Sequence, residues 1–293
     1  MIPRDAQTES PELPEPTPFW SVRECRQLVD LDGAVLYRVV REGSRSDGPI
    51  VVFFNSFGAD HEAKWRAEVA AGRHFAEKGF TTVSYHPRGH GDSSGNFAEL
   101  TFEDMVADGL AVADFAATLP GASGIIAVGI RFGALIAAEI IRRRGDVVGL
   151  ALWEPIHRPR DYFLELMRHQ AIAEMARGRK TASSESELIE RLSVEASIAV
   201  PGQELYRSLT TSALELDLRA MLEAWSGPTV LAQFRRRKEL SRDNTSLAKA
   251  MKGRGASVTL EVLQEPEGST GNEAWLFTDS LAASTKIWLD ELA

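Results

Sequence analysis

Three short stretches carry the side chains best suited to chemistry. In Gly129-Ile130-Arg131-Phe132-Gly133 an apolar run passes into a helical pattern between two glycines, with an arginine at the centre. A guanidinium stays protonated near neutral pH and has no usable lone pair, so Arg131 cannot serve as nucleophile or base. At a helix start, where backbone N–H groups point outward, it favours a carboxylate, phosphate or sulfonate. Glu154, in Trp153-Glu154-Pro155, ends the next apolar run. Two arrangements follow: an Arg131–Glu154 ion pair across neighbouring strand ends, or Arg131 clamping a substrate anion while Glu154 orients a nearby group. The third stretch is Asn55-Ser56-Phe57-Gly58. There the Asn55 amide can polarise a carbonyl, and Ser56 is either a hydrogen-bond donor or a relocated nucleophile. Six histidines are available for acid–base work near pH 6.5. His86 ends a strand-like run and reads either as a catalytic site residue or as a structural contact. His61 and His157 read either as site residues or as surface and interlayer contacts, and His74, His90 and His169 read as structural.

These stretches all follow apolar runs, so strands must position them. Pro49 to Phe54 is apolar on both faces, which suits a central strand covered by helices on both sides. Residues 61–78 read helical and close at Lys78-Gly79. A strand over 81–85 then enters His86-Pro-Arg-Gly-His-Gly-Asp-Ser-Ser-Gly95, and a helix over 101–119 opens with Thr101 and Asp104 spaced as in a capping box. A strand over 125–129, a helix over 132–144 ending in three arginines, and a strand over 147–153 continue the alternation. A hairpin spanning 26–40 and hinged at Asp32-Gly33 precedes them. From His157 to Gly227 the alternation breaks into amphipathic helix, a polar linker at 177–187 and more helix, with no strand. It resumes with a strand over 228–234, a helix around 245–251, a strand over 257–264 and a final helix from about Ala274. Such alternation calls for a parallel sheet with helices on both faces. The helical insertion reads as a cap over the carboxyl ends of the strands, where open α/β sheets place ligands. The division expected is a mobile tail over 1–18, where five of the thirteen prolines fall, a core over 19–156 and 228–293, and a helical cap over 157–227.

This order resembles the α/β-hydrolase fold of the serine aminopeptidase-like proteins, and three motifs carry the resemblance. Asn55-Ser56-Phe57-Gly58 looks like the family's His-Gly oxyanion loop. Arg88-Gly-His-Gly-Asp-Ser-Ser-Gly95 is similar to its RGxGxSxG loop, and Gly129 to Gly133 stands in the strand-turn-helix setting of the nucleophile elbow, G-x-S-x-G. The resemblance implies a mostly parallel eight-stranded sheet flanked by helices. It also implies serine, cysteine or aspartate at the elbow, where Arg131 stands. The histidine implied after the last strand is missing from Pro266-Glu-Gly-Ser-Thr-Gly-Asn-Glu-Ala-Trp275, and every histidine lies at or before His169. The acid implied after Phe234 meets Arg235-Arg-Arg-Lys238, with Asp243 a few residues on. A Ser-His-Asp triad in its usual place is therefore excluded. His86 replaces the aspartate that the family carries before its Arg-Gly turn. More narrowly, Ala127 to Ile136 and Leu150 to Pro155 are similar to a branch of hydrolase-like proteins associated with exosortase systems, with G-x-R-x-G at the elbow.

The chain has 293 residues, 44% of them hydrophobic and 26% charged, with net charge −9. These values suit a globular protein and exclude collagen, coiled coils and wholesale disorder. The acidic balance argues against nucleic acid and anionic membranes as partners. No apolar run reaches the roughly eighteen residues of a membrane span, and the first residues lack a signal-peptide pattern. Cys25, the single cysteine, excludes a disulfide framework or a cysteine metal site, reads as a small buried apolar residue, and suits a cytoplasmic location. With no phosphate loop and no H-E-x-x-H, no cofactor or metal is expected. The Arg235–Lys238 run reads as a solvated face or a holder for an acidic cofactor tail. Two functions follow. One is a non-triad enzyme acting on a small carboxylated or acyl substrate, with Arg131, Glu154 and His86 catalytic. Asn55, Ser56, Phe57, Phe132 and His157 would then surround the substrate. The other is an inactive pseudo-hydrolase, acting as a ligand-binding module or a partner subunit of an active enzyme. Dimerisation through the cap or an edge strand is compatible with both.

Overall fold

The structure is a computed structural model that describes residues 22–31, 33–178, 184–235 and 239–264, and 282, 283, 285 and 288–290 near the C-terminus. The Pro-rich segment 1–18, residues 236–238 of the basic run, the stretch 266–275 and the start of the final helix lie outside the described residues. Eight strands form one sheet: β1 (Glu24–Leu31), β2 (Ala34–Arg41), β3 (Gly48–Phe54), β4 (Thr82–Tyr85), β5 (Ala122–Ile130), β6 (Val147–Trp153), β9 (Thr229–Arg235) and β10 (Val258–Gln264). Their spatial order is β1-β2-β4-β3-β5-β6-β9-β10. The hairpin β1–β2 is antiparallel, β2 runs antiparallel to β4, and the remaining pairs are parallel.

Helices α1 (Gly58–Glu77), α2 (Phe102–Ala117), α3 (Gly133–Arg143) and α8 (Arg242–Lys252) connect the strands. The unbroken apolar run of β3 has the expected reason. Val51 and Phe53 join a cluster with Phe75 of α1 and with Trp288 and Leu289 near the C-terminus. Val52 and Phe54 join the opposite cluster, with Met105 and Val106 of α2 and Leu135 and Ile136 of α3. Both faces are buried, so alternation disappears from the sequence. The expected capping box is present: Thr101 Oγ1 accepts from Asp104 N at 3.1 Å, and Asp104 Oδ2 accepts from Thr101 N at 3.0 Å.

Between β6 and β9 the chain forms α4 (Pro159–Ala176), α5 (Glu185–Val194), the strands β7 (Ser197–Val200) and β8 (Gln203–Tyr206), α6 (Arg207–Ala213) and α7 (Leu218–Met221). The expectation of an all-helical stretch is corrected here, because β7 and β8 pair as an antiparallel hairpin. Ser197 to Val200 alternates in burial, and Pro201-Gly202 supplies the turn, with Gly202 at φ +81°. The inserted segment packs on the strand ends. Phe163 of α4 lies 6.3 Å from both Phe57 and Phe132, ring centre to ring centre. Ser212 Oγ accepts from Phe102 N, and Gln203 Oε1 accepts from Ala59 N. No described helix is long and apolar enough to cross a membrane.

Candidate functional site

The turn from β5 into α3 has a sharp geometry, with Arg131 at its centre. Arg131 adopts φ +55°, a left-handed conformation that costs a non-glycine residue roughly 1–3 kcal/mol. Its neighbour across the sheet, Glu154, does the same at φ +46°. Both are held by main-chain bonds: Arg131 N donates to Trp153 O, Glu154 N to Ala232 O, and Ile156 N to Arg131 O. The flanking glycines are required by sterics alone. A Cβ on Gly133 would fall 1.9 Å from Phe54 O, and one on Gly129 would fall 2.6 Å from Ala134 Cα.

The side chain that Arg131 meets is not the expected one. Its Nε donates to Asp60 Oδ2 at 3.1 Å, and its Nη1 reaches only the main-chain oxygen of Glu154, at 3.4 Å. Glu154 Oε1 instead accepts from Phe234 N at 3.2 Å. Asp60 Oδ2 also accepts from the Tyr162 hydroxyl at 3.0 Å, so α1, the β5–α3 turn and α4 converge on one carboxylate. Burial lowers the guanidinium's affinity for its proton, but the charges of Asp60, Tyr162 and Glu154 outweigh that and hold its pKa above the ordinary value. Lys64, one helical turn after Asp60, is 3% exposed. Burial pulls its pKa down and Asp60 pulls it back up. Arg131 and Lys64 therefore face Asp60 and Glu154 in a charge-balanced cluster.

A second group of residues surrounds a cavity of about 550 Å³. His61 and Trp65 of α1, His86 and His90 of the loop after β4, and Tyr206 at the end of β8 are among its walls. The His61 ring lies 5.5 Å from that of His86 and 5.4 Å from that of His90. Burial, then the neighbouring His90 and His86, push the His61 pKa down to about 3. Burial lowers His86 and His90 as well. His90, expected as a structural hydrogen-bonder, engages both ring nitrogens: Nε2 accepts from Gly58 N at 2.9 Å, while Nδ1 donates to Arg88 O at 3.1 Å. His86 Nδ1 accepts from Asp92 N at 3.0 Å. That contact needs glycine at 91, where a Cβ would fall 2.2 Å from Nδ1. The RGxGxSxG-like loop is pinned from below. The fully buried Asp108 takes three hydrogen bonds from Arg88, through N, Nε and Nη2. Ser93 and Ser94 accept from Tyr37 N and Val35 N of β2. A smaller cavity of about 420 Å³ shares Trp65, His86 and Asp92 with the first.

The expected site residues thus divide. Arg131 and Glu154 stand together at the strand ends, and His86 lines the larger cavity, which neither of them lines. His61, open to a surface reading, is 5% exposed on the cavity wall. His157 is a contact between the insertion and α8, its Nε2 2.7 Å from Asn244 Oδ1. Phe57 and Phe132, expected against substrate, are fully buried, with ring centres 4.9 Å apart under the insertion. The Asn55 amide donates to the buried carboxylate of Glu68 rather than toward a strand-end substrate. Ser56 is 1% exposed, and its hydroxyl has no hydrogen-bond partner among the described residues, so no base activates it there. Cys25 is a free thiol on β1, part-buried rather than fully buried, and packed against the apolar core. No described cluster of His, Cys, Asp and Glu is arranged to hold a metal ion. Sequence reasoning missed Asp60, Lys64 and Tyr162. The spacing of four between Asp60 and Lys64 was the available sign, since it places them on one helical face.

The sheet order, the strand-turn-helix at Arg131 and the insertion after β6 define an α/β hydrolase. Residues 46–214 match the model of the serine aminopeptidase S33 family (Hydrolase_4), and the chain belongs to that family. The match is to this broad family and does not reach down to the exosortase-associated branch. No curated protein matches the chain in sequence. Among solved structures, Est1E from Butyrivibrio proteoclasticus with bound ferulic acid superposes with a TM-score of 0.64 at 18% identity, covering 90% of this chain and 99% of that one. The α/β hydrolase GrgF from Penicillium sp. sh18 gives 0.60 at 18% identity, over 92% and 98%. The Pyrococcus furiosus esterase PF2001 gives 0.62 at 13%, over 93% and 91%. At these identities the likeness concerns the fold.

Proposed function

We propose that this α/β-hydrolase-family protein binds a small molecule without forming an acyl-enzyme, and that Arg131 acts as an internal latch at the elbow. One observation carries the reading: the guanidinium is engaged by Asp60 Oδ2 and by the main-chain oxygen of Glu154. A substrate carboxylate would have to compete with an aspartate already in place. The lack of any histidine after His169 and the buried hydroxyl of Ser56, unpartnered among the described residues, support the same reading. Residues 157–227 act in it as a cap over the core of 19–156 and 228–293, fastened by the Tyr162–Asp60 hydrogen bond. Fluorophosphonate labelling tests it. The wild-type chain and Arg131→Ser both stay unlabelled, because a serine at position 131 gains no histidine from the usual loop. Stoichiometric labelling of either one overturns the reading.

A second reading keeps the clamp, and it is favoured by one feature of the site: the Arg131 side chain is still 24% exposed. In this reading the protein is a non-triad enzyme for a small carboxylated or acyl substrate. Arg131 holds the anion in exchange for Asp60, with Glu154 and His86 assisting. Benzoate affinity separates the two. The clamp requires Asp60→Asn to tighten benzoate binding and Arg131→Met to abolish it; the latch requires that neither variant change it.

A further inference from the structure

We propose that the 550 Å³ cavity is a binding site for an organic cation, an amine or quaternary ammonium group carried on an apolar body. The inference does not depend on how the elbow works, because Asp60, Lys64, Arg131 and Glu154 do not line this cavity. Its volume lies within the range of small-molecule sites, roughly 300–1,000 Å³.

The charge on its walls has one sign. Glu62, Asp92 and Glu204 contribute carboxylates, and no lysine or arginine is among the described lining residues. The three imidazoles do not offset them, since burial keeps each pKa below its ordinary value and that of His61 near 3. The acids alone would be a solvated rim; Trp65, Phe97 and Tyr206 line the same cavity and add aromatic surface beside them. Trp65 is 45% exposed despite its size. The rings of Phe97 and Tyr206 meet edge to face at 5.4 Å, bringing the segment before α2 against the inserted hairpin. An alkylated ammonium is held by such faces through their quadrupoles while nearby carboxylates balance its charge. One buried polar atom on the wall is also unsatisfied: Nδ1 of His61, a residue 5% exposed, has no hydrogen-bond partner among the described residues.

The neighbouring cavity sharpens the choice. Arg26, Arg41, Arg66 and Arg73 line it, and Glu24 pairs with three of the four. A cation arriving at the shared residues Trp65, His86 and Asp92 is therefore steered to the acidic side.

Titration calorimetry of the intact chain with benzyltrimethylammonium, and with phenylacetate as its anionic counterpart, tests the assignment. The ammonium probe should bind about tenfold more tightly than phenylacetate. Glu62→Gln and Glu204→Gln should each weaken it by up to about fivefold, and Trp65→Ala by about tenfold. These substitutions lie on a partly exposed wall, and the comparison of the two probes on the wild-type chain needs no variant at all. Equal affinity for the probes, a preference for phenylacetate, no binding of the ammonium probe, or ammonium binding unchanged by Trp65→Ala overturns the proposal.

Discussion

The elbow cluster and the imidazole-walled cavity are both built partly on the first turns of α1, yet they solve opposite electrostatic problems. At the elbow, Asp60 and Lys64 meet Arg131 and Glu154, so charges are matched inside the protein and hydrogen bonds are spent on one another. Around the cavity, three carboxylates stand without a cation among the described lining residues, and Trp65 is left 45% exposed beside the half-buried rings of Phe97 and Tyr206. Neighbouring positions on one helix serve the two: Asp60 and Lys64 face the turn, while His61 and Trp65 face the cavity. A matched cluster favours rigidity. A one-signed, aromatic cavity favours a guest. The contrast teaches that an elbow can keep both its glycines and a left-handed φ at its centre while acidic and aromatic side chains gather around a different cavity.

The comparison can be broken in four ways, beginning with the largest effect. Asp108→Ala removes the buried acceptor of three Arg88 hydrogen bonds and should cost about 3 kcal/mol in urea denaturation, loosening the cavity wall while leaving the elbow pair intact. A loss under about 1 kcal/mol would mean that Ser93 and Ser94 alone hold the loop. On the other side, Asp60→Asn and Arg131→Met should each cost about 2 kcal/mol, less than a fully buried pair because solvent screens part of it. In a double-mutant cycle the costs should fall short of additive by about 1 kcal/mol; full additivity would show that the two side chains do not interact.

The third effect depends on pH. His61 is held neutral, with a folded pKa near 3 against 6.5 when unfolded, so the unfolded chain binds the extra proton between those values. Stability is therefore complete above pH 6.5 and falls as pH drops toward 3, by up to about 1.4 kcal/mol per unit from this residue. His61→Asn should flatten denaturation midpoints measured between pH 7 and pH 5, and an unchanged slope would assign it to the other buried histidines. Glu24, ion-paired and held at about 2, adds a further loss only below pH 4.5. The smallest effect sharpens the contrast most: Trp65→Ala, half-exposed, should leave the thermal midpoint nearly unchanged, within about 0.5 kcal/mol of stability. A larger loss would make the ring part of the core rather than of a binding wall.

Local chemistry was legible in the chain wherever it depended on neighbours in sequence. The Thr101/Asp104 capping box, the doubly apolar β3 and the glycines around Arg131 each follow from contacts within a few residues or from strand periodicity. The hairpin at Pro201-Gly202 was equally local, but its strands are four residues each and were masked by the helical segments around them. The partner of Arg131 was not legible, because Asp60 lies 71 residues earlier and reaches it only after α1 is laid across the strand ends. The same holds for Phe57 and Phe132, which looked like substrate contacts until α4 covered them.

What the amino-acid sequence determined by itself is the α/β-hydrolase framework and the chemical character of its elbow. Apolar periodicity and turn residues act over short distances, and an arginine cannot become a nucleophile in any fold. The tertiary structure alone decided which carboxylate neutralises that arginine and which imidazoles share a wall. Only packing the insertion and α1 against the sheet fixes which charges are matched and which face open space, since Coulomb energy depends on separation in space rather than along the chain.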